Sequence, residues 1–196
     1  DFGGGTLDLT LLNISNKDFS IKSASGDRYL GGRDFDAAIF EWSKQKFEQK
    51  LKRKLKKAEI KQIKNQCQDA KIALNTTSKT SIDILTDDED EYSETLTRTI
   101  FEDLAKPLLD KAIKVIDDFI TKQVKIKKDD IEDILLVGGS SNLYIFRQRI
   151  KQYFDRDPLN YKLPREAIAR GACYVSAMVD SVIESPLEDL NFNQKL

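Results

Sequence analysis

The chain has 196 residues with 32 basic and 33 acidic side chains, 40% apolar types, two cysteines and no histidine. That length suits one α/β domain or two small subdomains and is ample for a buried core. A formal net charge of −1 gives no general pull toward nucleic acid or anionic lipid, and without histidine Ser-His-Asp and Cys-His catalysis and histidine-ligated metals are excluded.

No apolar stretch comes near the ~20 residues a membrane helix needs. Cys67 and Cys173 lack CxxC spacing and predict two reduced, buried thiols in a reducing, cytoplasmic compartment. The chain opens on Asp1, inside a motif, and is expected to be a fragment. Its nine glycines fall at 3–5, 26, 31–32, 138–139 and 171, with none between 33 and 137. Glycine is thus concentrated at a few bends, and the middle of the chain reads as helix and strand.

Residues 7–14 alternate, with Leu7, Leu9 and Leu11 on one face. Phe19, Ile21 and Ser23 alternate again after a polar turn, which predicts a hairpin. Asp34 is an N-cap candidate for a helix to Leu55, with Phe40, Phe47, Leu51 and Leu55 at helical spacing. The basic residues at 50, 52–54 and 56–57 have no interleaved aromatics and predict a solvated helix face rather than a nucleic-acid patch. Ile60, Ile63, Cys67, Ala70 and Leu74 form the core stripe of a second helix, and Gln68, Lys71 and Asn75 form a polar stripe beside it.

Strands at Ser81–Leu85 and Tyr92–Arg98 flank the acidic run 87–91, which lacks the glycine and terminal Glu spacing of a calcium loop and predicts a solvated turn. A helix over Ile100–Lys122 should be kinked or split by Pro107. Further on, Asp129 caps a short turn and Ile134–Val137 predicts a buried strand. Gly138-Gly139-Ser140 then leads into a helix through Phe154. Pro164 precedes a last helix over Glu166–Val182, whose small residues Ala167, Gly171 and Ala172 predict close packing on a sheet.

The sharpest chemical signal is Asp1-Phe2-Gly3-Gly4-Gly5-Thr6-Leu7-Asp8. Consecutive glycines expose backbone N–H groups with no Cβ in the way of an anion. Thr6 offers a hydroxyl, and Asp1 and Asp8 flank the loop as carboxylates for a hydrated Mg²⁺. Three glycines alone suit a plain flexible turn equally well; the threonine and two carboxylates at this spacing weigh toward phosphate. The second signal, Val137-Gly138-Gly139-Ser140-Ser141-Asn142, is a strand end feeding a helix N-terminus, an arrangement that serves anions and also simple packing.

Together with Leu30-Gly31-Gly32-Arg33-Asp34-Phe35-Asp36, the Cys67-x-x-Ala70-Lys71 helix and the segment 164–172, these motifs resemble the nucleotide-binding domain of the 70-kilodalton heat-shock proteins, the DnaK-type chaperones. The likeness runs from Asp1 to about Val182. It implies an actin-like ATPase fold of which this chain is the second lobe. The large ribonuclease-H-like subdomain would be 1–30 with 106–184, an inserted smaller α+β capping subdomain would be 31–105, and 185–196 would be a mobile tail or linker start. It also implies ATP or ADP with Mg²⁺ as cofactors.

Carried onto matching positions, Gly3, Gly4, Gly5 and Thr6 would meet the phosphates. Asp1, Thr6 and Asp8 would be the catalytic set, with Asp1 and Asp8 holding the metal through water. Gly32, Gln68, Lys71, Asn75, Gly138, Gly139, Ser140 and Asn142 would complete the nucleotide site. Implied partners are the first lobe, a peptide-binding domain, a J-domain co-chaperone and a nucleotide-exchange factor, with neither nucleic acid nor membrane. The parent would be an ATPase that couples hydrolysis to protein folding, and the lobe alone would not turn over ATP because the first lobe supplies the opposing groups.

Four positions depart from the family pattern. Gln68 stands where Glu is usual, Ile72 and Asn142 where two arginines sandwich adenine, and Arg165 where Asp is usual. Losing two guanidinium contacts, each worth roughly 0.5–2 kcal/mol, predicts weak adenine-nucleotide binding. A diverged, non-hydrolysing chaperone-like scaffold or docking module is the alternative expectation.

Overall fold

Alternating leucines need a covered face, and the chain supplies one by folding back on itself. In the computed structural model, which describes residues 1–15, 18–159 and 163–179, β1 (Leu7–Ser15) pairs antiparallel with β2 (Asp18–Asp27). An irregularity between Leu11 and Leu12 shifts the alternation. Leu7 is therefore buried and Leu9 and Leu11 half-buried, while Leu12 and Ile14 turn outward.

The first helix, α1 (Gly32–Leu51), starts two residues before Asp34. Gly31 is the N-cap residue, and Asp34 closes the first turn from inside by accepting the Gly31 N–H at 2.7 Å. The chain leaves α1 through Lys52 in the left-handed region (φ 53°), so Leu55 reaches the core from outside the helix. The core face of α1 is Phe35, Ile39, Ser43 and Phe47. The basic stretch that follows is largely neutralised by Lys50–Glu94, Arg53–Glu59, Lys54–Glu48 and Lys56–Asp87 pairs.

Helix α2 (Lys57–Ala73) buries Ile63, Cys67 and Ala70, followed by Leu74, as the stripe predicts. It packs on a second hairpin, β3 (Lys79–Leu85) and β4 (Glu91–Thr97). Gln62 and Gln66, one turn apart on α2, act as a surrogate strand for the open edge of β3. The Gln62 side-chain amide exchanges hydrogen bonds with the Leu85 backbone (2.8 and 3.0 Å), and Gln66 does the same with Asp83 (3.0 and 2.7 Å). The acidic run is the solvent-exposed turn of this hairpin.

Helix α3 (Arg98–Asp118) continues into a π-helical turn, Phe119–Val124. Of the two expected outcomes at Pro107, a split does not occur, since α3 runs through it. It sits on the exposed face, where the carbonyl it leaves without a donor meets water. Short 3₁₀ turns at Lys128–Asp130 and Gly139–Asn142 precede α4 (Tyr144–Phe154). One core joins these elements. Phe2 packs on Phe146 and Phe35 (ring centroids 4.6 and 6.0 Å), and Phe35 packs on Phe101 (6.4 Å).

Three expectations for the last third are corrected. Residues 134–137 form no strand but a single parallel bridge, Leu135 to Leu159, with Leu135 53% exposed. The last helix, α5 (Ala167–Val179), does not lie thin-face down on a sheet: no atom lies within 4 Å of where a Gly171 side chain would project, and Ile168 and Val175 are exposed. The sheet beneath such a helix would need more than the two strands that β1 and β2 provide among the described residues. Cys173, on α5, is accordingly exposed, whereas Cys67 is buried. The predicted tail at 185–196 lies outside the described residues. The architecture is mixed α/β, and no helix among the described residues is long and apolar enough to cross a membrane.

Candidate functional site

The tri-glycine segment is a tight loop between Phe2 and β1. Gly3 N–H donates to Thr6 O at 2.9 Å and Asp8 N–H to Asp1 O at 2.8 Å, which closes the loop and sets Asp1 beside Asp8. Thr6 Oγ1 donates to Asp8 Oδ2 at 2.8 Å; a carboxylate only accepts, so the hydroxyl lone pairs face away from it. The N–H groups of Gly4 and Gly5 donate to no acceptor among the described residues, and Gly4 is exposed. Adjacent N–H groups without a protein acceptor on unshielded backbone are the raw material of an anion-binding nest.

The start of α1 is laid directly on this loop. Gly32 N–H donates to Gly3 O at 3.0 Å and Arg33 N–H to Gly4 O at 2.9 Å. Only glycine fits at 31: a Cβ there would lie 2.4 Å from Gly5 N and 2.6 Å from Gly4 C, both backbone atoms.

The second double-glycine bend meets the same loop from the other side. Phe2 N–H donates to Val137 O and Ser140 N–H to Phe2 O, both at 2.8 Å, and Ser140 Oγ donates to Gly3 O at 2.8 Å. Gly138 holds φ +88°, and a Cβ on it would lie 2.3 Å from Asp1 Oδ1. The three glycine bends, spread from Gly3 to Gly139, therefore form one hydrogen-bonded cluster rather than separate turns.

Helix α2 contributes Lys71, whose ammonium is buried and donates to Gly32 O at 2.8 Å beside Asp36 Oδ1 at 2.7 Å. The Asp36 contact is an ion pair without hydrogen-bond alignment, since Oδ1 has no aligned donor. Lys71 thus reaches the cluster, where its Nζ and Ser140 Oγ both crowd the outer side of Gly32. Asn75, one turn on, spends its carbonyl oxygen on Tyr144 N–H at 3.0 Å and so fixes the first turn of α4. Gln68 is exposed and its side chain makes no hydrogen bond among the described residues.

Ile72 is 41% exposed and Asn142 is exposed. The guanidinium that does lie nearby, Arg98, is committed elsewhere: it donates to Leu74 O and Asn75 O (2.8 and 2.9 Å) and covers the Tyr144 ring at 4.8 Å. Arg165 Nε lies 3.5 Å from where a Gly139 Cβ would sit, and Pro164 O accepts the Gly138 N–H at 2.9 Å.

Sequence reasoning did not single out Phe2 or Asp36. Phe2 carries the joint between the loop and the second bend through its backbone, with its ring locked among Phe35 and Phe146. The signal for Asp36 was its place two residues after Asp34 in the segment that follows Gly31-Gly32, which puts the two carboxylates on different faces of α1, one toward the cap and one toward Lys71. Among the described residues no group of three or more carboxylate or cysteine side chains is arranged to hold a metal by itself.

Comparison with known proteins identifies the family. The Hsp70 protein family model matches residues 1–191. The chain is 34% identical to "Chaperone protein DnaK" of Mycoplasma mobile over 95% of its length and 32% of that protein. It is 35% identical to "Heat shock 70 kDa protein" of Neurospora crassa, over 91% of the chain and 28% of that protein. It is 32% identical to "Heat shock cognate 70 kDa protein 3" of Dictyostelium discoideum, over 98% and 31% respectively. The chain therefore spans less than a third of the length of these curated relatives, and over that span it belongs to the Hsp70 protein family.

Proposed function

We propose that this chain is the second lobe of the nucleotide-binding domain of an Hsp70-type chaperone and that its three-bend cluster holds the phosphates of ATP or ADP. The observation that carries the reading is the pair of free N–H groups on Gly4 and Gly5, held rigid by hydrogen bonds from Gly32, Arg33 and Ser140 to the same loop. A polyphosphate supplies the acceptors those donors lack. In the proposed division, 1–30 with 106–184 form the larger ribonuclease-H-like subdomain of an actin-like fold, and 31–105 form the cap.

The residues fit Mg²⁺ in the manner of a phosphate-borne ion. Mg²⁺ takes one or two carboxylates and keeps several waters, and Asp1 and Asp8 lie together at the loop without a protein cage around them. Bound there, the ion would neutralise phosphate charge. The chain's own residues do the positioning. Gly4 and Gly5 donate to phosphate oxygens, and Thr6 orients Asp8. Lys71 carries positive charge to the base of the loop, and the free carboxamide nitrogen of Asn75 together with Gln68 faces the ribose side. Gly138, Gly139, Ser140 and Asn142 form the adenosine wall. Hydrolysis requires groups from a first lobe across the cleft, which also makes that lobe, a peptide-binding domain, a J-domain co-chaperone and a nucleotide-exchange factor the proposed partners.

A second reading, a chaperone-like scaffold that binds nucleotide weakly and does not hydrolyse it, is favoured by Ile72 and Asn142 at the adenine end, with Arg98 already engaged. Calorimetric titration of the full-length protein with ADP and Mg²⁺, followed by single-turnover ATP hydrolysis, tests both. Binding with a dissociation constant above about 1 μM together with measurable turnover is the expected result. Binding without turnover selects the scaffold, and absence of any nucleotide binding overturns the site.

A further inference from the structure

Two guanidinium groups stand at the glycine bends with nothing to pair with. Arg33 is pinned to the loop by its own N–H on Gly4 O, and its Nη1 lies 4.0 Å from where a Gly5 Cβ would project. Arg165 is held at the opposite bend by the Pro164–Gly138 hydrogen bond, with Nε 3.5 Å from the corresponding point on Gly139. Both are exposed, and neither side chain makes a hydrogen bond or ion pair among the described residues. The carboxylates of the adjoining segments make other contacts: Asp34 accepts from Gly31, Asp36 pairs with Lys71, and Asp8 accepts from Thr6.

Three arginines pair with carboxylates, Arg53 with Glu59, Arg149 with Asp110 and Arg170 with Glu166, and others among the described residues do not; what sets Arg33 and Arg165 apart is their place at the glycine bends. Two that remain unpaired while bracketing unfilled backbone donors constitute a site for a multiply charged anion, because a planar guanidinium offers parallel donors to phosphate oxygens. We infer that Arg33 and Arg165 are phosphate-binding residues of this pocket, and that they let it hold a polyphosphate with reduced dependence on a divalent cation. The inference rests on the proposed nucleotide site and assigns the part of it that the glycine backbone and the two aspartates leave open. It also gives the weakened adenine end a counterpart: affinity is drawn toward the phosphate end of the ligand.

The test is titration of the full-length protein with ADP and with tripolyphosphate, each in Mg²⁺ and in EDTA. The unaltered protein should bind tripolyphosphate in EDTA and lose no more than about tenfold in ADP affinity when Mg²⁺ is removed. Arg33→Ala and Arg165→Ala should each weaken tripolyphosphate binding roughly ten- to a hundredfold, the range for a lost charge-assisted contact. Arg33→Lys should recover part of the loss, and the circular dichroism melt of each variant reports that the fold is kept. Should ADP bind while both alanine variants hold tripolyphosphate as tightly as the unaltered protein, the arginine assignment fails and the nucleotide site stands. Should tripolyphosphate bind only with Mg²⁺, the reduced metal dependence is overturned. Should neither ADP nor tripolyphosphate bind under any condition, the site itself fails with it.

Discussion

Substituting Gly31 by alanine probes the contact between α1 and the tri-glycine loop at its tightest point. The new methyl carbon would meet Gly5 N, Gly5 Cα and Gly4 C at 2.4, 2.5 and 2.6 Å, about 1 Å inside ordinary van der Waals distance. All three are backbone atoms, so no side chain can swing aside and the loop must move bodily. Moving it stretches the Gly32–Gly3 and Arg33–Gly4 hydrogen bonds. Overpacking costs roughly 1–3 kcal/mol and two weakened hydrogen bonds about 0.5 kcal/mol each or more, which gives a loss of about 2–4 kcal/mol. In a chain of this size that corresponds to a melting temperature roughly 5–15 °C lower. Gly4→Ala is the matched control, since nothing lies within 4 Å of its added carbon. It should leave the melt unchanged yet reduce ADP affinity about tenfold, because the methyl group stands where an anion approaches the free N–H groups. A Gly31→Ala melt within about 1 °C of the unaltered protein would refute the close approach on which the cluster rests.

Glu59 lies fully buried under a two-pronged Arg53 contact (2.6 and 2.9 Å) and also accepts the Lys56 N–H. Glu59→Gln should cost about 1–2 kcal/mol in urea unfolding, discounted because Arg53 is 35% exposed. The Arg53 hydrogen bond, ahead of the Lys56 N–H, holds the Glu59 carboxyl below its ordinary 4.5. Its stabilisation is therefore present above pH 4.5 and disappears as acid carries the pH down through the folded-state value, and Glu59→Gln should flatten that acid limb. Burial, ahead of the nearby Asp36 charge, pushes the Cys67 thiol up to about 11, whereas Cys173 is exposed. A thiol reagent at pH 8 should label one cysteine rapidly and the second only on unfolding, and Cys173→Ser should abolish the fast phase. Asn75→Ala should lower stability by about 1 kcal/mol through loss of the cap on Tyr144 N–H, read by thermal melt.

Local periodicity located what depends on one helix or one hairpin. The stripe Ile63, Cys67, Ala70 and Leu74 is buried as spaced, and both hairpins pair in the expected sense. Boundaries were less legible where a backbone trick decides them: Gly31 rather than Asp34 caps α1, and Lys52 in the left-handed region ends it before Leu55. Residues 134–137 have the composition of a buried strand, but a strand also needs neighbours, and among the described residues they have no more than the Leu135–Leu159 bridge and single backbone hydrogen bonds such as Phe2 N–H to Val137 O. The same dependence on partners governs α5, whose small residues suit a sheet that β1 and β2 alone do not furnish. At the glycine bends, Gly31 and Gly138 were legible because a close backbone approach and a positive φ demand glycine. The free guanidinium groups of Arg33 and Arg165 were not, since pairing is a property of three-dimensional neighbours.

The loop that presents free N–H groups is also the seam of the molecule. Gly3 O accepts from both Gly32 N–H and Ser140 Oγ, so α1 and the turn before α4 are tied to one peptide unit. Asn75 ties α2 to α4 a turn away, and Lys71 ties α2 to the start of α1. A ligand on Gly4 and Gly5 adjoins the ties to Gly3 O and Gly4 O and adds acceptors without displacing any, since the donors it uses have no protein partner among the described residues. On the proposed reading, nucleotide therefore stabilises the seam by mass action, by about 2.7 kcal/mol at a hundredfold excess over its dissociation constant. That gain should fall most in variants that loosen the loop and least in those, such as Glu59→Gln, that act at the other end of α2. Equal ligand-induced stabilisation of Gly31→Ala and Glu59→Gln, measured by melting at saturating ADP, would separate the seam from the site and leave the glycine bends a packing device alone.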